Sequence, residues 1–172
     1  ILQCRAEESH VARTINSLIR QSWPSWELIV MDNGACGPSV RKLAIDPNQV
    51  PQMHAFLTIH KQKRRGLPAD RNVGIRRARG MWILPLDSGV EIDPEFLSRA
   101  EQLLTEDPRL RMITSNSNRS GTNVQDQLIT LYTRSIWEEI GGYNSLLQGP
   151  DQDAEFLTRL TDFAHPRKSM PP

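Results

Sequence analysis

A chain of 172 residues, 38% apolar and 24% charged, is long enough to close one hydrophobic core and of single-domain size. Its formal net charge of +1 gives no general affinity for nucleic acid, its 12 Pro and 10 Gly are not gathered into a disordered tract, and no apolar run approaches the ~18 residues of a membrane span. Cys4 and Cys36 are spaced unlike any zinc-binding pair and favour reduced thiols in a cytoplasmic setting, a Cys4–Cys36 bridge being the minor alternative. Ile1 opens the chain with neither an initiator Met nor a signal-peptide pattern, so the sequence reads as a piece of a longer protein.

Ile1 to Cys4 reads as a strand, and from about Glu7 to Gln21 the residues Val11, Ile15, Leu18 and Ile19 recur at helical spacing. Pro24 closes that helix. Glu27 to Met31 has the continuous apolar run of a strand buried on both faces, and it ends on Asp32. A glycine turn, Gly34 to Gly37, leads through Pro38 into a short helix reaching about Ile45, and Ala55 to Ile59 is a third strand. Pro68 fits the first turn of the next helix, which Gly80 stops after Arg79. Met81 to Leu86 then reads as a central strand with an irregular end at Pro85, which has no ladder donor, and it delivers Asp87. Pro94 to Thr105 is a helix, Leu110 to Thr114 a strand, and Arg134 to Ile140 a short helix stopped by Gly141-Gly142. The last helix, from about Gln152 to Leu160, carries acids in its first turn, where the helix dipole favours them.

Strands and helices in alternation predict an α/β fold: a doubly wound, mostly parallel sheet that binds ligands at the carboxyl ends of its strands. A dinucleotide-binding oxidoreductase shares that architecture, but neither the first turn nor Gly34-Ala35-Cys36-Gly37 has the Gly-x-Gly-x-x-Gly spacing. Between Lys61 and Arg79 eight Lys/Arg face only Asp70, a bias that could surround a diphosphate with positive potential. Most of them, Arg76, Arg77 and Arg79 above all, read as a solvated helix face.

From Ser17 the run SLIRQSWPSWELIVMDNG resembles the opening of a family-2 glycosyltransferase. ADRNVGIRRARG (Ala69 to Gly80), WILPLD (Trp82 to Asp87), IDPEFL (Ile92 to Leu97), RSIWEEIGGY (Arg134 to Tyr143) and QDAEFLTR (Gln152 to Arg159) resemble its successive blocks in order and spacing. The resemblance implies a GT-A fold in a single domain, 1–172, cut short at its C-terminus, with a nucleotide-sugar half over 1–90 and an acceptor half over 91–172. It implies an inverting enzyme that moves a sugar from a nucleoside-diphosphate donor, UDP-sugar as first choice, to the hydroxyl of a glycan, lipid-linked or small-molecule acceptor. A segment beyond the chain would carry any membrane association.

Carried over residue by residue, the resemblance places the nucleotide on Asp32 and Asn33, Arg71 and Asn72, and Asp87. Asn33 stands where the family has a second acid; its amide offers one acceptor and a donor, so a uracil N–H can still be bound while base preference shifts. The family's Asp-x-Asp, which holds Mn2+ or Mg2+ with hard oxygen ligands, is here Asp87-Ser88-Gly89, leaving Asp87 as metal ligand and weakening the cation site. Glu91 could replace the lost carboxylate only through a rearranged loop, and His165 is a remote candidate. Asp153 stands where the family's general base takes the acceptor proton, preceded by Gln152 in place of Glu, with Asp151 as rival. Trp137 and Tyr143 frame what the resemblance marks as acceptor territory. The alternative is a degenerate member that binds nucleotide, glycan or a partner without turnover, motivated by Asn33, Gly89 and Gln152.

Overall fold

The computed structural model describes residues 1–4, 8–32, 37–38, 57–61, 66–116, 128–147 and 151–170. Strands β1 (Leu2–Cys4) and β2 (Leu28–Asp32) are buried throughout, which requires cover on both faces. Helix α1 (Glu8–Ile19) follows β1 and buries Val11, Ile15 and Leu18, one stripe at helical spacing. Strand β3 (Leu57–Lys61) and helix α2 (Leu67–Arg77) come next, then two short strands, β4 (Trp82–Ile83) and β5 (Leu86–Asp87). Helix α3 (Phe96–Glu106), strands β6 (Met112–Asn116) and β7 (Leu128–Thr133), helices α4 (Arg134–Glu139) and α5 (Asp151–Phe163) and strand β8 (Arg167–Ser169) complete the order.

The first sheet runs β3-β2-β1-β5 with every pair parallel; Leu2 is in register with Val30 on one side and Leu86 on the other. The chain winds outward from β1 to β3 and then returns to the opposite side of β1. That makes the β1–β5 gap the switch point where open α/β sheets bind ligands. The second sheet, β4-β7-β6-β8, is mixed: β4 and β6 lie antiparallel to β7, and β8 lies parallel to β6.

Successive side chains divide between two cores, as the two-residue period of a strand dictates. Leu28 and Val30 join α1 and α3 through Val11, Ile15, Phe96 and Ala100 on one face. Ile29 and Met31 join Ile75 of α2 and Phe156 and Leu160 of α5 on the other.

The single strand expected over Met81 to Leu86 is instead two. Leu84 and Pro85 interrupt it, so that Trp82 and Ile83 pair with β7 while Leu86 and Asp87 pair with β1. One chain segment therefore ties the two sheets together. Strands β7 and β8 were not anticipated, and the helix expected from Pro38 to Ile45 lies mostly outside the described residues. Cys4 is buried and disulfide-bonded, which corrects the expectation of reduced thiols there; Cys36 lies outside the described residues. Among the described residues no helix is long and apolar enough to cross a membrane.

Candidate active site

Three elements converge beyond the carboxyl end of β5. The second turn of α2 carries Arg71 and Asn72, the end of β5 carries Asp87, and the first turn of α5 carries Asp153. Arg71, only 5% exposed, donates through Nη2 to Asp87 Oδ1 at 2.9 Å and through Nη1 to Asp153 Oδ1. Its guanidinium carbon lies 5.2 Å from the centroid of the Tyr143 ring. Burial works against the Arg71 charge, but Tyr143, Asp87 and Asp153 outweigh it and hold the guanidinium above its ordinary range. Burial also pushes the Tyr143 phenol up to about 12 against the pull of Arg71, so it remains a neutral hydroxyl at physiological pH.

Asn72, expected beside the nucleotide, is bonded to the turn after α4 and does not line the cleft. Its Oδ1 accepts from Tyr143 N at 2.9 Å and from Trp137 Nε1 at 3.2 Å, and its Nδ2 donates to Tyr143 O at 2.7 Å. These bonds fix the turn through Gly141 and Gly142. Gly142 has φ 72°, and a Cβ there would stand 2.8 Å from Asn72 Oδ1, so only glycine lets the amide approach. Arg159 of α5 holds the same turn, donating to Ile140 O at 2.6 Å and Gly142 O at 2.9 Å. The helix carrying Asp153 is thus tied to the turn, and the turn to α2.

A cleft of about 180 Å³ lies between these elements, with Arg71, Asp87, Thr130, Tyr143, Asp153 and Phe156 among its walls. The rings of Tyr143 and Phe156 stack at 3.6 Å and 15°. Arg71, Asp87 and Asp153 are therefore brought together. Asp32, buried at the carboxyl end of the interior strand β2 and in register with Cys4 and Lys61, does not line the cleft. Asn33 lies outside the described residues. Asp151 is exposed and Glu91 lies 3.8 Å from Arg20, neither lining the cleft; His165 is exposed beyond α5. Of the two aromatics, Tyr143 lines the cleft, whereas Trp137 is buried on Asn72. Arg159 and Thr130 were missed. Arg159 lay within a recognised block without a role, and nothing in the sequence singles out Thr130.

The model of Glycosyl transferase family 2 matches residues 1–160. The chain belongs to that family. It is 32% identical over 97 residues to "Putative glycosyltransferase EpsH" of Bacillus subtilis (strain 168), a match covering 56% of this chain and 26% of that protein. Among solved structures, S. aureus TarS 1–349 in complex with UDP-GlcNAc superposes at TM-score 0.83 with 16% identity, over 98% of this chain and 54% of that one. The mannosyltransferase PcManGT from Pyrobaculum calidifontis, in complex with GDP-Man and Mn2+, superposes at 0.73 with 17% identity, over 99% and 53%. The family-2 chain thus has the GT-A fold and spans a quarter to just over half the length of these relatives.

Metal use in this family raises the question of whether the residues here suit a divalent cation, which needs several hard oxygen ligands. The loop after β5 is a tight turn: Val90 N donates to Asp87 O at 3.2 Å, and Gly89, with φ 94°, holds the third position, where such turns need a positive φ. Gly89 N is pinned to Thr14 Oγ1 at 2.9 Å, and Ser88 Oγ donates to Gln3 O. Asp87 is the only carboxylate of that turn, with one oxygen on Arg71. No group of three His, Cys, Asp or Glu side chains that could hold a metal occurs among the described residues. They do not fit a cation by themselves.

Proposed function

We propose that this domain is an inverting glycosyltransferase that moves a sugar from a UDP-sugar to an acceptor hydroxyl, with Asp153 as general base. The observation that carries this reading is the placement of Asp87, at the donor sheet's switch point, and Asp153, on α5, on the walls of one cleft. In-line displacement needs that arrangement, with a base on one side of the anomeric carbon and the leaving diphosphate on the other. Asp153 takes the acceptor proton as the hydroxyl oxygen bonds to the anomeric carbon, and the bond from that carbon to the diphosphate oxygen breaks to release UDP.

In this reading residues 1–90 hold the donor: Asp32 and Asn33 take the base, and Arg71 and Asp87 face the diphosphate side. Residues 91–172 supply Asp153 and admit a glycan, lipid-linked or small-molecule acceptor. Asn72 contributes by fixing the turn that carries Tyr143. Asp87 is the residue that would touch a cation, and among the described residues no further ligands accompany it. UDP is favoured because TarS, which shares the fold, binds UDP and UDP-GlcNAc. A cytoplasmic location rests on the nucleotide donor, since the disulfide-bonded Cys4 removes the support that thiols gave it. The tight Asp87–Val90 turn is what favours the second reading, a donor-binding domain without turnover.

The test is Asp153→Asn, assayed as UDP release from UDP-sugars with candidate acceptors. Transfer should fall at least ~100-fold, as removal of a general base does, with UDP affinity within about twofold of wild type. Unchanged turnover would show that Asp153 is not the base.

A further inference from the structure

Thr130 lies on β7 with 6% of its surface exposed, and its Oγ1 has no hydrogen-bond partner. Its register partner Thr114 differs: that hydroxyl lies 2.9 Å from Ser169 Oγ on β8. A buried hydroxyl without a partner destabilises the fold, and valine would fill the same space without that loss. Thr130 lines the cleft, and so does Arg71, whose Nε is likewise buried and unpartnered. Two unsatisfied polar groups thus belong to the walls of one cleft, which also carries Asp87 and Asp153 and is otherwise lined by apolar and aromatic side chains such as Tyr143, Phe156 and Leu157, the pattern of a site with few polar contacts on an apolar frame.

Its volume of about 180 Å³ is below the usual range for sites that take drug-sized ligands and suits one sugar ring, not a whole nucleotide-sugar. Under the transfer reading proposed above, on which this inference rests, the ring being moved must lie between the diphosphate side at Asp87 and the base Asp153. We propose that Thr130 is a specificity-determining residue that hydrogen-bonds a hydroxyl or amide substituent of the transferred sugar. A threonine hydroxyl both donates and accepts, so it can read either kind of group.

The test compares calorimetric titrations of UDP, UDP-GlcNAc, UDP-Glc and UDP-Gal into wild type, Thr130→Val and Thr130→Ser, with thermal midpoints alongside. For the UDP-sugar that wild type prefers over UDP, Thr130→Val should weaken binding about fivefold to tenfold while UDP affinity stays the same. Thr130→Ser should keep most of the preference. The thermal midpoint of Thr130→Val should equal or exceed wild type, an outcome that a merely structural role for the hydroxyl does not give. The proposal is overturned if Thr130→Val keeps the wild-type sugar-to-UDP ratio, or if wild type binds UDP but favours none of the sugars, which leaves the nucleotide reading standing. Wild-type binding of neither UDP nor any UDP-sugar would overturn both.

Discussion

The two ends of the cleft are built differently. At the α5 end, Asp153 sits on a helix tied through Arg159 to the turn over 140–142, and Asn72 ties that turn to α2. At the β5 end, Asp87 begins a tight turn through Ser88 and Gly89, where the family resemblance implies a further acid. Arg71 is the element common to both, with one nitrogen on each carboxylate. The α5 end is fixed by several hydrogen bonds from Arg159 and Asn72, whereas the turn at the β5 end carries one carboxylate and is held by Thr14 and Gln3.

The strongest way to break this contrast is to remove its common element. Arg71→Met should reduce transfer below detection and destabilise the fold by about 2–4 kcal/mol, because two carboxylates then face each other without a cation. Arg71→Lys should restore part of the stability but little activity, since an ammonium cannot reproduce a fork that bonds two acids in fixed directions. Urea midpoints and UDP release measure the two effects. Retained transfer in Arg71→Met would show that the two ends work independently.

Asn72 tests whether the base side owes its position to the turn. Asn72→Ala leaves Tyr143 N and Trp137 Nε1 without their acceptor, which costs about 2–3 kcal/mol in the urea midpoint. It should lower kcat with UDP affinity changed less than about threefold. Loss of UDP affinity with unchanged stability would instead return Asn72 to the nucleotide.

The sequence read well where periodicity reports burial. Val11, Ile15 and Leu18 announce α1, and the run Leu28 to Met31 announces a doubly covered strand. It read poorly where pairing is long-range. LITLYT of β7 follows a polar stretch and becomes a strand by pairing with β6, and Arg167–Ser169 is exposed throughout, leaving no apolar pattern to detect. The break at Pro85 was foreseen as an irregular end, but a change of sheet depends on partners that no local window contains. In the site, Arg71, Asp87 and Asp153 were visible as residues. The contact of Arg71 with Asp153 spans 82 positions, and the orphaned hydroxyl of Thr130 exists only once the strand is packed.

A smaller effect is expected from rebuilding the β5 end. Gly89→Asp restores a carboxylate to the sequence pattern, but φ 94° is a conformation that side chains rarely adopt, and the added Cβ would lie 3.7 Å from His10. We expect a loss of about 1–2 kcal/mol in stability and a gain in Mn2+-dependent UDP affinity of less than about threefold. A tenfold gain would mean that the turn opens readily and that the difference between the ends is one substitution deep.

The smallest expected effect concerns the far end of α2, where the contrast should vanish. Glu27 accepts from Arg79 N at 2.5 Å and from Gly80 N at 3.0 Å, with Arg79 Nε at 3.3 Å. Burial works to raise its pKa, but the backbone N–H bonds from Arg79 and Gly80 and the Arg79 side chain prevail, so the Glu27 carboxyl titrates below its ordinary 4.5. A group depressed on folding stabilises above its unfolded pKa, and that stability is lost as pH falls through the folded value. Glu27→Gln should therefore lower stability by up to about 1 kcal/mol at pH 7 and by progressively less below pH ~4.5, with transfer unaffected at neutral pH. If Glu27→Gln also slows transfer, α2 carries strain from its C-terminus to Arg71, and the two ends of the cleft are coupled through the whole helix instead of through one guanidinium.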